Sequence, residues 1–139
     1  DIMFQFVLNE EGRKVMGSKI KVLIVDDHHE TRENLYQMLR LSGDIDPIAH
    51  ASTGVQALDM ARLHKPDVVL MDIKMPGVDG VVASQAILQH VPKTRIVMMS
   101  GQPEVDHQWG SMLVGAKEFL TKPFTAKELT ECVRRVAAS

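Results

Sequence analysis

Five polar residues stand directly behind apolar runs of the chain. Asp26 and Asp27 follow Ile20 to Val25, and Asp72 follows Asp67 to Met71. Ser100 follows Arg95 to Met99, and Lys122 comes just after Lys117 to Leu120. A lone aspartate in such a place usually caps a helix or closes a turn. Three carboxylates forced together are different, because they repel unless a proton or a cation intervenes. A hard divalent cation with oxygen ligands meets that need, and magnesium, which keeps several waters, suits it best. Lys122 adds a mobile ammonium able to pair with a carboxylate or with phosphoryl oxygens. Ser100 adds a neutral hydroxyl donor. A carboxylate nucleophile, a metal, an ammonium and a hydroxyl around one point equip a protein for phosphoryl transfer to aspartate. Asp72 would attack in line while the metal and Lys122 neutralise the equatorial oxygens.

These residues meet only if the runs before them lie side by side in a parallel sheet, whose carboxyl edge is where sites form in open α/β folds. Ile20 to Val25, Asp67 to Met71 and Arg95 to Met99 are apolar on consecutive positions, as buried parallel strands are. Pro47 to His50 and Lys117 to Leu120 are weaker strand candidates. Helical spacing fills the intervals. Leu35, Met38 and Leu39 share a face; so do Ala57, Leu58 and Ala61, behind a capping-box pattern at Thr53 and Gln56. Val82, Ala83, Ala86 and Ile87 form a third stripe, stopped by Val91-Pro92. A fourth helix is expected between Pro103-Glu104 and Gly115. A fifth is capped by Thr125 and Glu128, with Leu129, Cys132, Val133 and Val136 on its apolar face. Strand and helix repeated five times predict a doubly wound α/β domain, a five-stranded parallel sheet with helices on both faces.

The sequence resembles the receiver domain of two-component response regulators. The resemblance is carried by Val22-Leu23-Ile24-Val25-Asp26-Asp27, by Asp67 to Asp72 with Ile73-Lys74-Met75-Pro76-Gly77-Val78-Asp79-Gly80, by Met99-Ser100-Gly101, and by Gly115 to Phe124. It runs from about Lys19 to Ala137. It implies a flavodoxin-like (βα)₅ fold, with Asp72 as phospho-acceptor and magnesium as the cofactor. Asp26, Asp27 and Asp72 would hold that metal, with the backbone carbonyl of Lys74. Lys122 would contact the phosphoryl group, Ser100 and Phe119 would form a switch pair, and the Lys122-Pro123 bond would be cis. The implied partner is a histidine kinase or phosphotransfer protein. The implied output face is built from the fourth helix, fifth strand and fifth helix, through which a homodimer could form. A finer likeness, through Glu30 to Leu35, Val97 to Ser100 and Phe119 to Phe124, is to receivers attached to pilus-assembly-type ATPases. Two positions depart from the commonest family pattern: Ser100 in place of Thr and Gly101 in place of Ala.

Two rival readings fit less well. A haloacid-dehalogenase-like enzyme with an aspartyl nucleophile needs a second Asp two residues on, where this chain has Lys74. A flavodoxin needs a loop that welcomes phosphate after the first strand, and Asp26-Asp27-His28-His29-Glu30 would repel it. The reading that results is a signalling switch that phosphorylates itself, not an enzyme acting on a separate substrate.

Composition agrees with a single domain. The 139 residues are 45% apolar and 24% charged, with 16 basic against 18 acidic residues. A net charge of −2 gives no whole-chain case for binding nucleic acid or anionic lipid. One cysteine, Cys132, excludes an internal disulfide and multi-cysteine metal sites. No apolar run is long enough to span a membrane. A reducing cytoplasm is the expected compartment. Residues 1–18 fall outside the repeat and are expected to be an extension or linker before a receiver domain at 19–139. Within them Phe4, Phe6 and Leu8 alternate like a short strand. His28 and His29 are expected at the rim of the site, Cys132 as a buried thiol, and Trp109 as a candidate interaction handle.

Overall fold

The computed structural model describes residues 6–8, 14–16, 18–75, 77–102 and 115–139. Two short strands, β1 (Phe6–Leu8) and β2 (Lys14–Met16), pair antiparallel in a small sheet of their own. The first matches the expected alternation. The second was not expected, because its three residues follow a polar stretch with no alternation to mark them.

The main sheet holds β3 (Ile20–Val25), β4 (Ile45–Ala51), β5 (Val68–Asp72), β6 (Arg95–Ser100) and β7 (Glu118–Thr121). Its order is β4-β3-β5-β6-β7 and every pair is parallel. This is the flavodoxin-like doubly wound order, with the topological switch point between β3 and β5. Helices α1 (His29–Arg40) and α4 (Ala126–Ala137) cover one face, and α2 (Gly54–His64) and α3 (Gly80–His90) the other. The expected fourth helix, with His107, Trp109, Met112 and Leu113, lies outside the described residues.

Both faces of the central strands are apolar because both are covered. Leu23, Val25, Val69, Met71, Ile96 and Met98 pack against Ala57, Ala61, Ala83 and Ile87. Val22, Ile24, Val68, Leu70, Val97 and Met99 pack against Leu35, Leu39, Leu129, Cys132, Val133 and Val136. The small alanines of α2 and α3 let those helices lie close to the sheet, and Met71, Met75, Met98 and Met99 fill core positions as expected.

Several boundaries shift, each for a local reason. β5 begins at Val68, and just before it the Asp67 carboxylate accepts the Lys21 N–H, at 2.8 Å. It runs on through Asp72, which stays in register with Met99. β4 is longer than expected because it is an edge strand, where Pro47 is tolerated beside a shift in register between Val22 and Leu23. Val82 proves exposed, since α3 starts at Gly80 with Asp79 as its cap and turns Gly80, Ala83, Ser84 and Ile87 inward. The box at α2 is half formed. Thr53 Oγ1 accepts the Gln56 N–H, but Gln56 reaches past it to the N–H of Ser52. At α4 both halves of the Thr125–Glu128 box are made.

A bidentate pair ties α4 to the turn before β4, Arg134 donating to Asp44 at 2.7 and 3.1 Å. The Arg134 hydrogen bonds hold the Asp44 carboxyl down to about 2. A folded-state value below the unfolded one means stability that is present above about pH 4 and lost as pH falls towards 2. Urea melts of Arg134→Gln should therefore show a loss of under about 1 kcal/mol at pH 7, because the pair is partly exposed. That loss should shrink as pH is lowered from 5 to 3, and a pH-independent loss would discount the pair.

Candidate functional site

The register of the sheet brings the expected residues together. Val25 is level with Met71, so Asp26 and Asp72 leave adjacent strands side by side at the switch point. Ser100 ends β6 level with Thr121, and the Lys122 N–H donates to the Ser100 carbonyl at 2.7 Å. The Lys122-Pro123 peptide is cis, as the resemblance implied.

Asp26 is fully buried and divides its two oxygens. Oδ2 accepts Lys122 Nζ at 2.9 Å, and Oδ1 accepts the His28 N–H at 2.9 Å. Arg32 on α1 donates to the Asp26 carbonyl at 2.8 Å and so fixes the backbone there. The same Lys122 Nζ lies 3.7 Å from Asp72 Oδ1, so one ammonium serves two carboxylates. Burial pushes the Asp72 carboxyl up to about 6, against the pull of Lys122 and with help from the nearby negative charge of Asp26. The Lys74 N–H hydrogen bond to that carboxyl opposes the rise. Asp27 Oδ1 is buried and has no hydrogen-bond partner among the described residues.

That orphaned oxygen is the observation that tests a cation. An anionic oxygen removed from water with no donor is costly, and a hard divalent ion satisfies it. Asp26, Asp27 and Asp72 each offer an oxygen, and together with His28 these donors lie within 4.8 Å of one another. An oxygen-rich set of this kind fits magnesium.

Ser100 is buried, and its Oγ accepts the Gln102 N–H at 2.9 Å. The Gln102 side chain in turn accepts Lys74 Nζ at 2.6 Å, so the loops after β5 and β6 are bridged across the mouth of the site. Phe119, half-buried on β7, packs against the core beneath α2 and α3. The β5–α3 loop is closed by the Gly80 N–H donating to the Ile73 carbonyl at 3.0 Å.

Asp26, Asp27, Asp72, Lys74, Ser100 and Lys122 lie on this edge of the sheet, while Phe119 stands within β7, level with Met98. Two contributors were missed. The Arg32 side chain reaches a backbone carbonyl and the Gln102 backbone N–H reaches Ser100, contacts that leave no mark on a single sequence. The two histidines were treated alike, yet they part company. His29 contacts Arg32, at 3.4 Å, while the His28 ring turns back to both Asp26 and Asp27, at 3.2 Å each. Cys132 is buried as expected, with its thiol pushed up to about 12 by burial and by Glu118.

Fold and site together define a doubly wound α/β domain with an acidic centre and one lysine at its switch point. The chain belongs to the response regulator receiver domain family, whose model matches residues 22–134. It is 34% identical over 112 residues to the uncharacterized transcriptional regulatory protein YhcZ of Bacillus subtilis, covering 81% of this chain and 52% of that protein. To response regulator GacA of Pseudomonas aeruginosa it is 36% identical over 119 residues, covering 86% and 56%. The chain thus spans about half the length of the curated relatives it matches. Among solved structures, the signal receiver domain of the response regulator NarL from Mycobacterium tuberculosis superposes with a TM-score of 0.83 at 32% identity, covering 88% and 99%. The CheX-CheY-BeF3-magnesium complex of Borrelia burgdorferi gives 0.78 at 30%, covering 86% and 90%. The chain is a receiver domain with a phospho-accepting signalling role.

Proposed function

We propose that Asp72 is the phospho-acceptor and that the domain catalyses its own phosphorylation from the phosphohistidine of a histidine kinase or phosphotransfer protein. In that transfer the P–N bond of the donor breaks, a P–O bond forms to an Asp72 Oδ, and the departing imidazole takes up a proton. The observation that carries this reading is the shared ammonium, 2.9 Å from Asp26 and 3.7 Å from Asp72. Lys122 can keep Asp26 and turn its remaining N–H groups to the phosphoryl oxygens. Asp26, Asp27, Asp72 and the Lys74 carbonyl would hold the magnesium, which supplies charge neutralisation at the phosphoryl oxygens. The solved relative with beryllofluoride and magnesium supports the same chemistry. The curated relatives named as transcriptional regulators favour control of transcription as the output. A cytoplasmic setting suits the single buried free thiol. Among the described residues no helix is long and apolar enough to cross a membrane.

The test is intact-protein mass spectrometry after incubation with acetyl phosphate. One phosphoryl group should be gained with magnesium and none with chelator. Labelling that ignores the chelator would defeat the proposal. In magnesium titrations, Asp27→Ala should weaken binding at least about tenfold, as loss of one ligand from a small oxygen set does. Unchanged titrations in both Asp26→Ala and Asp27→Ala would remove these residues from the cation site.

Ser100 is proposed as the coupling element. A phosphoryl group on Asp72 presents new acceptor oxygens, and the Ser100 hydroxyl at the end of the neighbouring strand is the neutral donor nearest in register. Its movement would let the half-buried Phe119 ring turn inward, a two-state repacking that phosphorylation biases by its differential affinity. Beryllofluoride should then change Trp109 emission or drive homodimer formation in the parent, and Ser100→Ala should weaken that response while still accepting phosphate at Asp72. Identical responses from the two proteins would exclude the hydroxyl as the coupler.

A further inference from the structure

We infer that Gly54, the first residue of α2, is a positioning residue for the magnesium site. By lacking a side chain it lets α2 stand directly behind the loop between β5 and α3, the loop that carries Lys74. The inference rests on the reading of the acidic edge as a magnesium site with the Lys74 carbonyl among its ligands. It concerns what holds that carbonyl in place.

Gly54 is buried where Thr53 caps the helix. A Cβ built there would meet Val78 at three atoms, Cγ1 at 2.7 Å, the carbonyl oxygen at 2.8 Å and Cβ at 2.9 Å. Non-bonded carbons rest about 3.5–4.0 Å apart, so two backbones meet here with no room for a methyl group. Val78 lies four residues after Lys74. The loop is fastened at its ends, where the Ile73 N–H donates to the Met99 carbonyl and the Gly80 N–H to the Ile73 carbonyl, each at 3.0 Å. Met75 is buried in the core between them. The link from Lys74 to Gln102 is made by the side-chain ammonium and leaves the Lys74 carbonyl to the course of the backbone. Val78 resting on Gly54 steers that course from behind.

The two sides of this contact yield unequally. α2 is an 11-residue helix with a side-chain cap at Thr53 and with Ala57 and Ala61 buried in the core. The loop side has a solvent-exposed Val78 next to Gly77, which holds φ at +77°. A methyl group added at Gly54 therefore displaces the loop and not the helix, and the Lys74 carbonyl moves with it. Coupling of this kind is reciprocal. An ion that fixes the carbonyl should in turn press Val78 onto the first turn of α2.

Calorimetric titration of the full chain with MgCl2, joined to amide exchange followed by NMR, tests this. Gly54→Ala should bind Mg2+ about tenfold more weakly, as happens when groups that orient metal ligands are changed. In chelator its Gly80 N–H, whose bond closes the loop, should exchange faster than in the parent. Val55→Ala, at the exposed neighbouring position, should match the parent. On a Val78→Gly background, which lacks two of the three obstructing atoms, Gly54→Ala should lose less affinity than it does alone. In the parent itself magnesium should slow exchange of the Ala57 N–H, bonded to Thr53 in the first turn of α2, more than that of the Lys65 N–H at the far end. That readout stands even if Gly54→Ala fails to fold. A folded Gly54→Ala that binds magnesium like the parent overturns the inference and leaves the acidic site intact. Equal losses on the two backgrounds, or an Ala57 amide protected no more than Lys65, do the same. A parent that binds no magnesium overturns both readings together.

Discussion

Asp72→Asn is expected to take up no phosphoryl group from acetyl phosphate and, in chelator at pH 7.5, to melt a few degrees above the parent. The first result follows from removing the nucleophilic oxygen pair. The second follows from the electrostatics of the metal-free site. Burial and the neighbouring carboxylates raise the Asp72 carboxyl to about 6, whereas an unfolded aspartate titrates near 3.9. Below about pH 4 both states hold the proton and Asp72 does no harm to stability. As pH rises, the unfolded chain releases its proton first, and stability is lost progressively until the folded carboxyl has ionised above about 6. Two units correspond to about 2–3 kcal/mol of destabilisation at neutral pH. A neutral amide escapes that cost. Thermal melts of parent and variant in chelator should therefore diverge at pH 7.5 and converge towards pH 4.5. Added magnesium should stabilise the parent more than the variant. A variant that labels like the parent would remove Asp72 from its role, and one that melts lower at pH 7.5 would refute the electrostatic account.

The elements that position this chemistry were readable because burial on both faces leaves a distinctive record. Val22 to Val25 and Ile96 to Met99 are apolar at every step, and no half-exposed strand looks like that. Capping at Thr125 and Glu128 was equally plain, since the box requires those residue types at that spacing. What the sequence concealed was decided by tertiary contact. Val82 is apolar and lies in an apolar stripe, yet the close packing of Gly80 against the end of β5 rotates it to solvent. At the site, residue types foretold the polar groups from four strand ends. They were silent on how two oxygens of Asp26 would be shared, and on which of two adjacent histidines would turn inward. Those outcomes depend on the backbone course after β3, which the Arg32 contact to the Asp26 carbonyl fixes from six residues away.

The largest loss of stability from a single methyl group is expected at Gly80. A Cβ built there would meet the Asp72 carbonyl oxygen at 2.2 Å and the Ile73 Cα at 2.8 Å. Both obstacles are backbone, so no side-chain rotation relieves them, and α3 must move away from the end of β5. By propensity alone, Gly→Ala in a helix gains up to about 1 kcal/mol. Overpacking a core costs about 1–3 kcal/mol even where side chains can yield, and here nothing flexible is present. Gly80→Ala should therefore lose about 3 kcal/mol or more in urea melts. Because the displaced carbonyl belongs to Asp72 itself, phosphorylation by acetyl phosphate should slow as well. Two other glycines of the same loops separate this clash from general effects. Gly101 has open space around its Cβ position and no positive φ, so Gly101→Ala should stay within about 0.5 kcal/mol of the parent. Gly77 also has open space but holds φ at +77°, so Gly77→Ala should cost about 1–2 kcal/mol through the backbone alone. The expected ranking is Gly101, then Gly77, then Gly80. If Gly80→Ala proves as stable and as readily phosphorylated as Gly101→Ala, then α3 has room at the site that this packing denies it, and the contact does not set the position of Asp72.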